Sequence, residues 1–307
     1  MRLLNWHLSF KSGLGAAAVV GCLAVTAGQL TAAPRQSPSS ADLDGNPTRM
    51  EMALDANSSA AVFARAGKAR DALEFPVGVT RVGKHVRDGF ERAEYDEVSE
   101  MNSSGKIVAL TQFDTKGRLR VAVRLDGPPR GGPRVTSDAA IRAAQRSTLA
   151  AGLTVGSPSR TDADEATGGW TVHWPRVKDG VPVRGDETRV NVWSDGHIQS
   201  VALVEHDLGA APDRRIGLDS ARQVASDNLD RWFAKRNSGY EIRDVMLQWV
   251  EPNGAFDPAR ITTAPTAYRL AWVTDVKPSG DAANYVWLMT LFVDAGDGNI
   301  IGGDFVE

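Results

Sequence analysis

From Gly169 to Val204 the chain alternates. Trp170, Val172 and Trp174 stand against Thr171, His173 and Pro175, the period of two that a half-buried strand requires. Thr188–Trp193 and His197–Val204 carry the pattern on, separated by Ser194-Asp195-Gly196. Asp-Gly between two alternating runs signals a hairpin. Between the first two strands Gly180 and Gly185 permit tight reversals, and Pro182 cannot donate to a ladder. The stretch therefore predicts three antiparallel strands.

Elsewhere the period lengthens. Ile141, Ala144, Thr148 and Ala151 form a thin apolar stripe on a helix over Ser137–Ala151, which Thr136 or Ser137 can cap. Leu218, Ala221, Ala225, Leu229 and Trp232 share one face of a second helix, predicted from Asp219 as N-cap to Arg236. Four strands follow it, at Tyr240–Val250, Thr266–Val276, Tyr285–Asp294 and Asn299–Val306. Helix followed by antiparallel sheet thus occurs twice, and Asp195-Gly196-His197-Ile198 matches Asp297-Gly298-Asn299-Ile300. This self-similarity predicts an internal repeat of about 85–90 residues. Upstream, a short helix at Ala60–Leu73 and strands at Pro76–Val86, Arg92–Met101, Lys106–Phe113 and Arg118–Leu125 are joined by NSSG and DTKG turns. With Asp114-Thr115-Lys116-Gly117 they read as a third, degenerate copy. The predicted fold class is α+β: tandem units of one helix packed on a twisted antiparallel sheet.

One strand departs from simple alternation. Trp287, Met289, Leu291 and Val293 line one side of the 286–293 run, and Val286, Leu288 and Phe292 the other. Two apolar faces call for burial on both. The second face either packs on a neighbouring unit, the preferred reading, or awaits a partner.

These strands and turns carry a resemblance. The GVPVRGDETRVNVWSDGHIQSV run resembles the propeptide module of thermolysin- and fungalysin-type metalloproteases, with its Gly-x-Pro-Val-x-Gly segment, strand, Asp-Gly turn and closing strand. AYRLAWV at Ala267–Val273 and LFVDAGDGNII at Leu291–Ile301 are similar to the related PepSY domain. The likeness covers about Thr136 to Glu307 and implies a cystatin-like or PepSY-like fold. In that family such modules lie upstream of a catalytic domain and chaperone or inhibit it.

Residues 1–33 read as an export signal, with Arg2 and Lys11 ahead of the apolar run GLGAAAVVGCLAVTAG. Gly13–Ala33 is about long enough to span a bilayer, but its Gly, Ala and Thr content argues against a permanent anchor. Val19-Val20-Gly21-Cys22 resembles a relaxed lipobox, so a lipoprotein acylated at Cys22 is the minority reading. Residues 34–59, rich in Ser, Pro, Asp and Ala, predict a flexible linker. A mainly β region over 60–126, a linker at 127–135 marked by GPPRGGP, a propeptide-like unit at 136–210 and a PepSY-like unit at 211–307 complete the division. Cys22 is the only cysteine, so once the signal is gone neither a disulfide nor a thiolate metal site is available. The formal net charge of -3, with both signs interspersed, points to no nucleic-acid footprint and to no membrane contact apart from lipidation.

The candidate chemistry is sparse. His85, His173, His197 and His206 include no pair at i, i+4, so the His-Glu-x-x-His zinc signature is missing. Neither a Gly-x-Ser-x-Gly elbow nor a phosphate loop occurs. Asp294, Asp297 and Asn299 suggest calcium, but the run lacks an EF-hand's alternating oxygens and terminal Glu, and Asx turns explain it more simply. The acidic run Thr161–Glu165 reads as a solvated loop. No cofactor is expected. Trp193, pointing away from Val190 and Val192, is the candidate partner-binding residue; its competing role is burial against a neighbouring unit.

The expectation is a secreted or periplasmic, non-enzymatic protein-interaction module. Its partner is a protein, and the resemblance implies a secreted zinc protease that it would inhibit or chaperone in trans. Unpaired strand edges offer the docking site. The alternative is a structural or binding module of the cell envelope without a protease partner. An enzyme is the class with least support, since no catalytic constellation is legible.

Overall fold

One row of residues explains most of the architecture. Val98, Thr111, Ala122, Val201, Val190 and Val172 oppose one another in turn across six adjacent antiparallel strands. Five of the six are completely buried and Thr111 nearly so. Residues directly opposite one another share a sheet face, so the row marks the side on which the helices lie. The computed structural model describes residues 49–88, 93–128, 133–158, 160–164, 168–234, 238–253, 267–284, 286 and 288–306. The export signal, Cys22, residues 34–48 of the first expected linker and 129–132 of the second fall outside these residues.

Among the described residues the fold is mixed α/β, an open thirteen-stranded sheet with three α-helices. Nine strands form one continuous part: β1 (Arg49–Ala53), β2 (Thr80–Asp88), β3 (Ala93–Met101), β4 (Ile107–Asp114), β5 (Leu119–Arg124), β9 (Ile198–Val204), β8 (Val181–Val192), β7 (Trp170–Lys178) and β6 (Arg160–Ala163), in that spatial order. Helices α1 (Ala56–Ala72) and α2 (Ser137–Ala150) pack against this part. From α1, Val62, Ala66 and Ala69, with Leu73 just past its end, follow helical spacing into the core; from α2 come Ala140 and Ala144. The small residues of α2 let its backbone approach the sheet. Thr148, also buried there, returns its hydroxyl to the Ala144 carbonyl at 2.9 Å, so that no polar group is stranded.

The remaining strands, β10 (Ser238–Val250), β11 (Arg269–Gly280), β12 (Leu288–Asp294) and β13 (Ile300–Val306), form an antiparallel meander. Helix α3 (Leu218–Phe233) lays Ala221, Ala225, Leu229 and Phe233 against Val276, Met289, Leu291 and Val293. Phe292 faces the other way and packs with Val250, Ala271, Val273 and Ile301. The described part of the doubly apolar strand is therefore buried on both faces; Trp287 and the Leu288 side chain lie outside the described set. The meander joins the nine strands through one parallel pair, Trp249↔Val183.

Several expectations change. The helices are not distributed one to a separate sheet, because α1 and α2 share a core on one continuous sheet, sewn by the β5–β9 pairs Val121↔Ala202, Ala122↔Val201 and Val123↔Ser200. Within the expected linker, Arg49–Ala53 is a strand paired with β2, and α1 starts at Ala56 behind Asp55, whose carboxylate accepts from the Ser58 amide at 2.8 Å. Gly185 does not reverse the chain. The reversal is Asp179-Gly180, both at positive φ (52° and 78°), and Gly185 at φ 80° allows an irregularity that bends β8 in mid-strand. Thr161–Ala163, expected as loop, belongs to β6 and pairs with β7. Helix α3 is capped by Gly217 without a side-chain bond, and Asp219 lies inside its first turn, where a negative charge suits the helix dipole.

Candidate interaction surface

Turning the buried row over gives the surface of interest. On the helix-free side Ala53, Lys84, Glu97, Gln112, Val121, Ala202, Arg189, His173 and Arg160 oppose one another across all nine strands. A second row runs Val82, Ser99, Leu110, Val123, Ser200, Asn191, Thr171 and Asp162. At strand spacing, nine strands make a face roughly 40 Å wide.

Its side chains hold one another. At the β1–β4 end the buried Glu97 carboxylate accepts from Lys84 at 3.0 Å, Gln112 at 2.9 Å and Arg49 at 3.3 Å. Tyr95 is covered by the Arg120 and Arg49 guanidinium groups, 4.8 and 6.0 Å from its ring. At the β6–β8 end Thr171 donates to Asn191, and Asn191 to Ser200, at 2.9 and 2.8 Å. His173 lies 3.0 Å from Glu187 and 3.3 Å from Asp162. Burial would raise the Glu187 carboxyl, but the His173 hydrogen bond and the Arg189 charge outweigh it and hold it below the ordinary range. Between the two polar ends Val121, Val123 and Ala202 are half-exposed.

The residues singled out from sequence fall in different places. Trp193 does not stand outward. It is 6 % exposed, with the Arg124 guanidinium 5.3 Å over its ring, and a buried indole offers a partner little area. The Asp-Gly hairpin two positions later turns it inward: its amide donates to the His197 carbonyl and Gly196, at φ 91°, donates back to the Trp193 carbonyl. The histidines are dispersed over the fold, His85 against Asp96, His173 in the cluster above, His197 beside Asp195 and His206 against Asp186. Among the described residues no three His, Cys, Asp or Glu side chains are grouped to hold a metal. Asp294 accepts from the Gly296 and Asp297 amides at 2.8 and 3.1 Å, the Asx geometry expected of a turn.

Sequence reasoning missed the joint between the nine strands and the meander. Asp186, at the bend of β8, has a fully buried carboxylate. It accepts from Arg176 and from the His206 amide, both at 2.9 Å, and from the His206 ring. That ring stacks on Tyr268, centroids 4.7 Å apart. Burial first, then the charges of Asp186 and Glu251, push the Tyr268 phenol up. Gly185 was the available signal, since a glycine inside a strand marks a bulge or a close approach.

The free edges are guarded. β1 and β6 are short and charged; β10 carries Glu241, Arg243 and Asp244 around an irregularity at Ile242/Asp244; and β13 is bridged by Asn253, which bonds Gly303 at both its carbonyl and its amide. Short length, charge and bulges all oppose strand addition.

No family model matches the chain, and no curated protein does. Among solved structures it is similar to the Bacillus megaterium YpeB C-terminal domain, at 10% identity and TM-score 0.42, over 83% of this chain and 99% of that one. An uncharacterized protein from Eubacterium rectale gives 9% identity and TM-score 0.39, over 83% and 85%. Both likenesses are loose.

Proposed function

We propose that the chain is an exported, non-enzymatic module that holds a protein partner on the helix-free face of its nine-stranded part. One observation carries this reading: a broad face with a half-exposed apolar centre, Val121, Val123 and Ala202, set between two polar clusters whose side chains already bond one another. Apolar centre and polar rim are the anatomy of a protein interface, and side chains fixed in advance lower the ordering cost of binding. The guarded edges make this face a better dock than strand addition. The resemblance to metalloprotease propeptides supports a secreted zinc protease as partner, inhibited or chaperoned in trans.

The tandem organisation belongs to the same proposal: each helix with the four strands after it forms one unit. Two clasps support it. Trp170 donates its indole N–H to the Val135 carbonyl just before α2, and Val135 donates to Ser194 in the β8–β9 turn, at 2.9 and 2.7 Å. Trp272 donates to the Ile216 carbonyl just before α3, and Ile216 to Ala295 in the β12–β13 turn, at 3.1 and 2.8 Å.

A pull-down from culture supernatant with the mature protein, read by mass spectrometry, tests the function. The reading expects a secreted protein captured by wild type and lost in Ala202→Arg at an unchanged melting temperature. Capture of envelope polymers alone, equally by both, replaces it with the envelope-module reading.

A further inference from the structure

Strand β1 closes one edge of the sheet and is lightly held there. None of its five side chains is buried: Met50 and Met52 are 48% and 52% exposed, and the Glu51 side chain 44%. None of the five enters an apolar core among the described residues. What holds β1 is its ladder to β2 and the ion pairs of Arg49 and Glu51. The Glu51–Lys84 pair, at 2.8 Å, lies near solvent, where such a pair contributes little. A segment with so few buried apolar contacts opens at low cost.

The edge beneath it is different. Facing Glu51, Val86 is completely buried; facing Arg49, Asp88 is 4% exposed. The Arg49 guanidinium lies 3.9 Å from the Asp88 carboxylate, 3.3 Å from that of Glu97 and 6.0 Å over the Tyr95 ring. Two buried carboxylates thus draw a cation from the edge strand, and buried charge is costly without such pairing. The edge of β2 therefore calls for an extended segment with a cation in this register. Charge complementarity defines the occupant, and β1 meets it with almost no apolar burial of its own.

The chain also limits how far β1 can leave. Only Leu54 and Asp55 separate it from α1. Leu54 packs on the core in the space beside Gly83, where a Cβ would lie 2.9 Å from it. Asp55 caps the helix through the Ser58 amide. Departure of β1 stops at Leu54 and leaves α1 in place.

We propose that β1 is an exchangeable strand: an extended segment of a protein partner, carrying arginine in the register of Arg49, displaces it and pairs with β2. Ladder hydrogen bonds give the affinity, and the Asp88 and Glu97 carboxylates give the selectivity. The charges on β1 oppose a further strand outside it, whereas exchange reuses a register the sheet already accepts. This inference is independent of the face across Val121 and Ala202.

The test uses the mature chain and a fluorescent octapeptide with the sequence of residues 48–55, read by anisotropy. In wild type the resident strand occupies the site, so apparent affinity is reduced to the fraction of open molecules. Arg49→Ala weakens the resident strand alone, and this variant binds the peptide at least about tenfold tighter than wild type. A peptide with alanine in place of its arginine binds at least about tenfold more weakly. In wild type itself, hydrogen exchange of the Met50–Ala53 amides is at least about a hundredfold faster than in the β3–β4 ladder. Peptide binding that never saturates on Arg49→Ala, equal binding of the alanine peptide, or β1 amides protected as fully as β3–β4 would overturn the proposal. A wild-type dimer that the peptide dissociates would also overturn it, by making a second copy the occupant.

Discussion

The parts built on α2 and on α3 use the same clasp in different surroundings. In both, a tryptophan indole ties the strand opposite the closing hairpin to the carbonyl ahead of the helix, and the hairpin turn ties back to the same residue. The α2 part then extends edge to edge into β5 and shares its core with α1. The α3 part keeps a helix-side core of its own and meets its neighbour through one ladder pair, the Asp186 cluster, the Arg184–Asp304 ion pair and an apolar cluster that joins Val183 to Trp249, Tyr268, Leu270 and Ala295. The difference teaches that a closing strand decides the assembly. β9 offers Ser200, Val201 and Ala202 to β5, whereas β13 spends its outer edge on Asn253.

The sharpest way to break this comparison is to empty each core separately. Leu229→Ala should cost about 2–5 kcal/mol and be read by hydrogen exchange as lost protection in α3 and β10–β13, with β3–β9 unchanged. Protection lost equally in β3–β9 would show that the two parts unfold as one. Asp186→Ala, at the joint, should cost about 1–3 kcal/mol. Its partners Arg176 and His206 are 29% and 45% exposed, so water can take them up and the full penalty of a stranded buried charge is not incurred.

The clasps themselves should answer alike. Trp170→Phe and Trp272→Phe each remove one donor and should each cost about 1 kcal/mol or slightly more; a loss confined to one would end the equivalence. Caps should answer differently. Thr136 accepts from the Ala139 amide and Thr136→Ala should cost about 1 kcal/mol, while Gly217→Ser, at φ -72° with open space beside it, should gain a few tenths, about 0.3 kcal/mol, in thermal melts.

The smallest effect is a titration. Burial, with the hydrogen bond to Asp230, pushes the Tyr240 phenol up to about 12. The folded form thus keeps a proton that the unfolded chain loses near 10, so stability falls as pH rises from about 10 to about 12. Tyr240→Phe should flatten that part of the pH profile, with the change muted because the ring lies near solvent.

Much of this was legible from spacing alone. The strands around Asp195-Gly196 and Asp297-Gly298, and the helices at 137 and 219, lie within a few residues of their expected places, apart from β8, which starts at Val181 where Thr188 was expected, because alternation and Asp-Gly turns are local signals. The two turns differ by one residue: Gly196 closes onto Trp193 three positions back, but Gly298 closes onto Asp294 four back. What local pattern cannot carry is which edge meets which. The β5–β9 seam joins residues 121–123 to 200–202 and uses ordinary alternating side chains. Trp193 was misjudged for a related reason. Alternation assigns it a face only within the strand, and the strand ends at Val192 just past a register shift, so Trp193 belongs to the turn and its indole lies under Arg124.

Binding of the mature chain to the secreted zinc proteases of its own source, with wild type and Ala202→Arg measured side by side, tests the central claim most directly. The account predicts a saturable complex with at least one protease, altered protease activity, and loss of both in Ala202→Arg while the melting temperature holds. Equal binding by the two proteins, or none by wild type to any protease or other secreted protein, would contradict it.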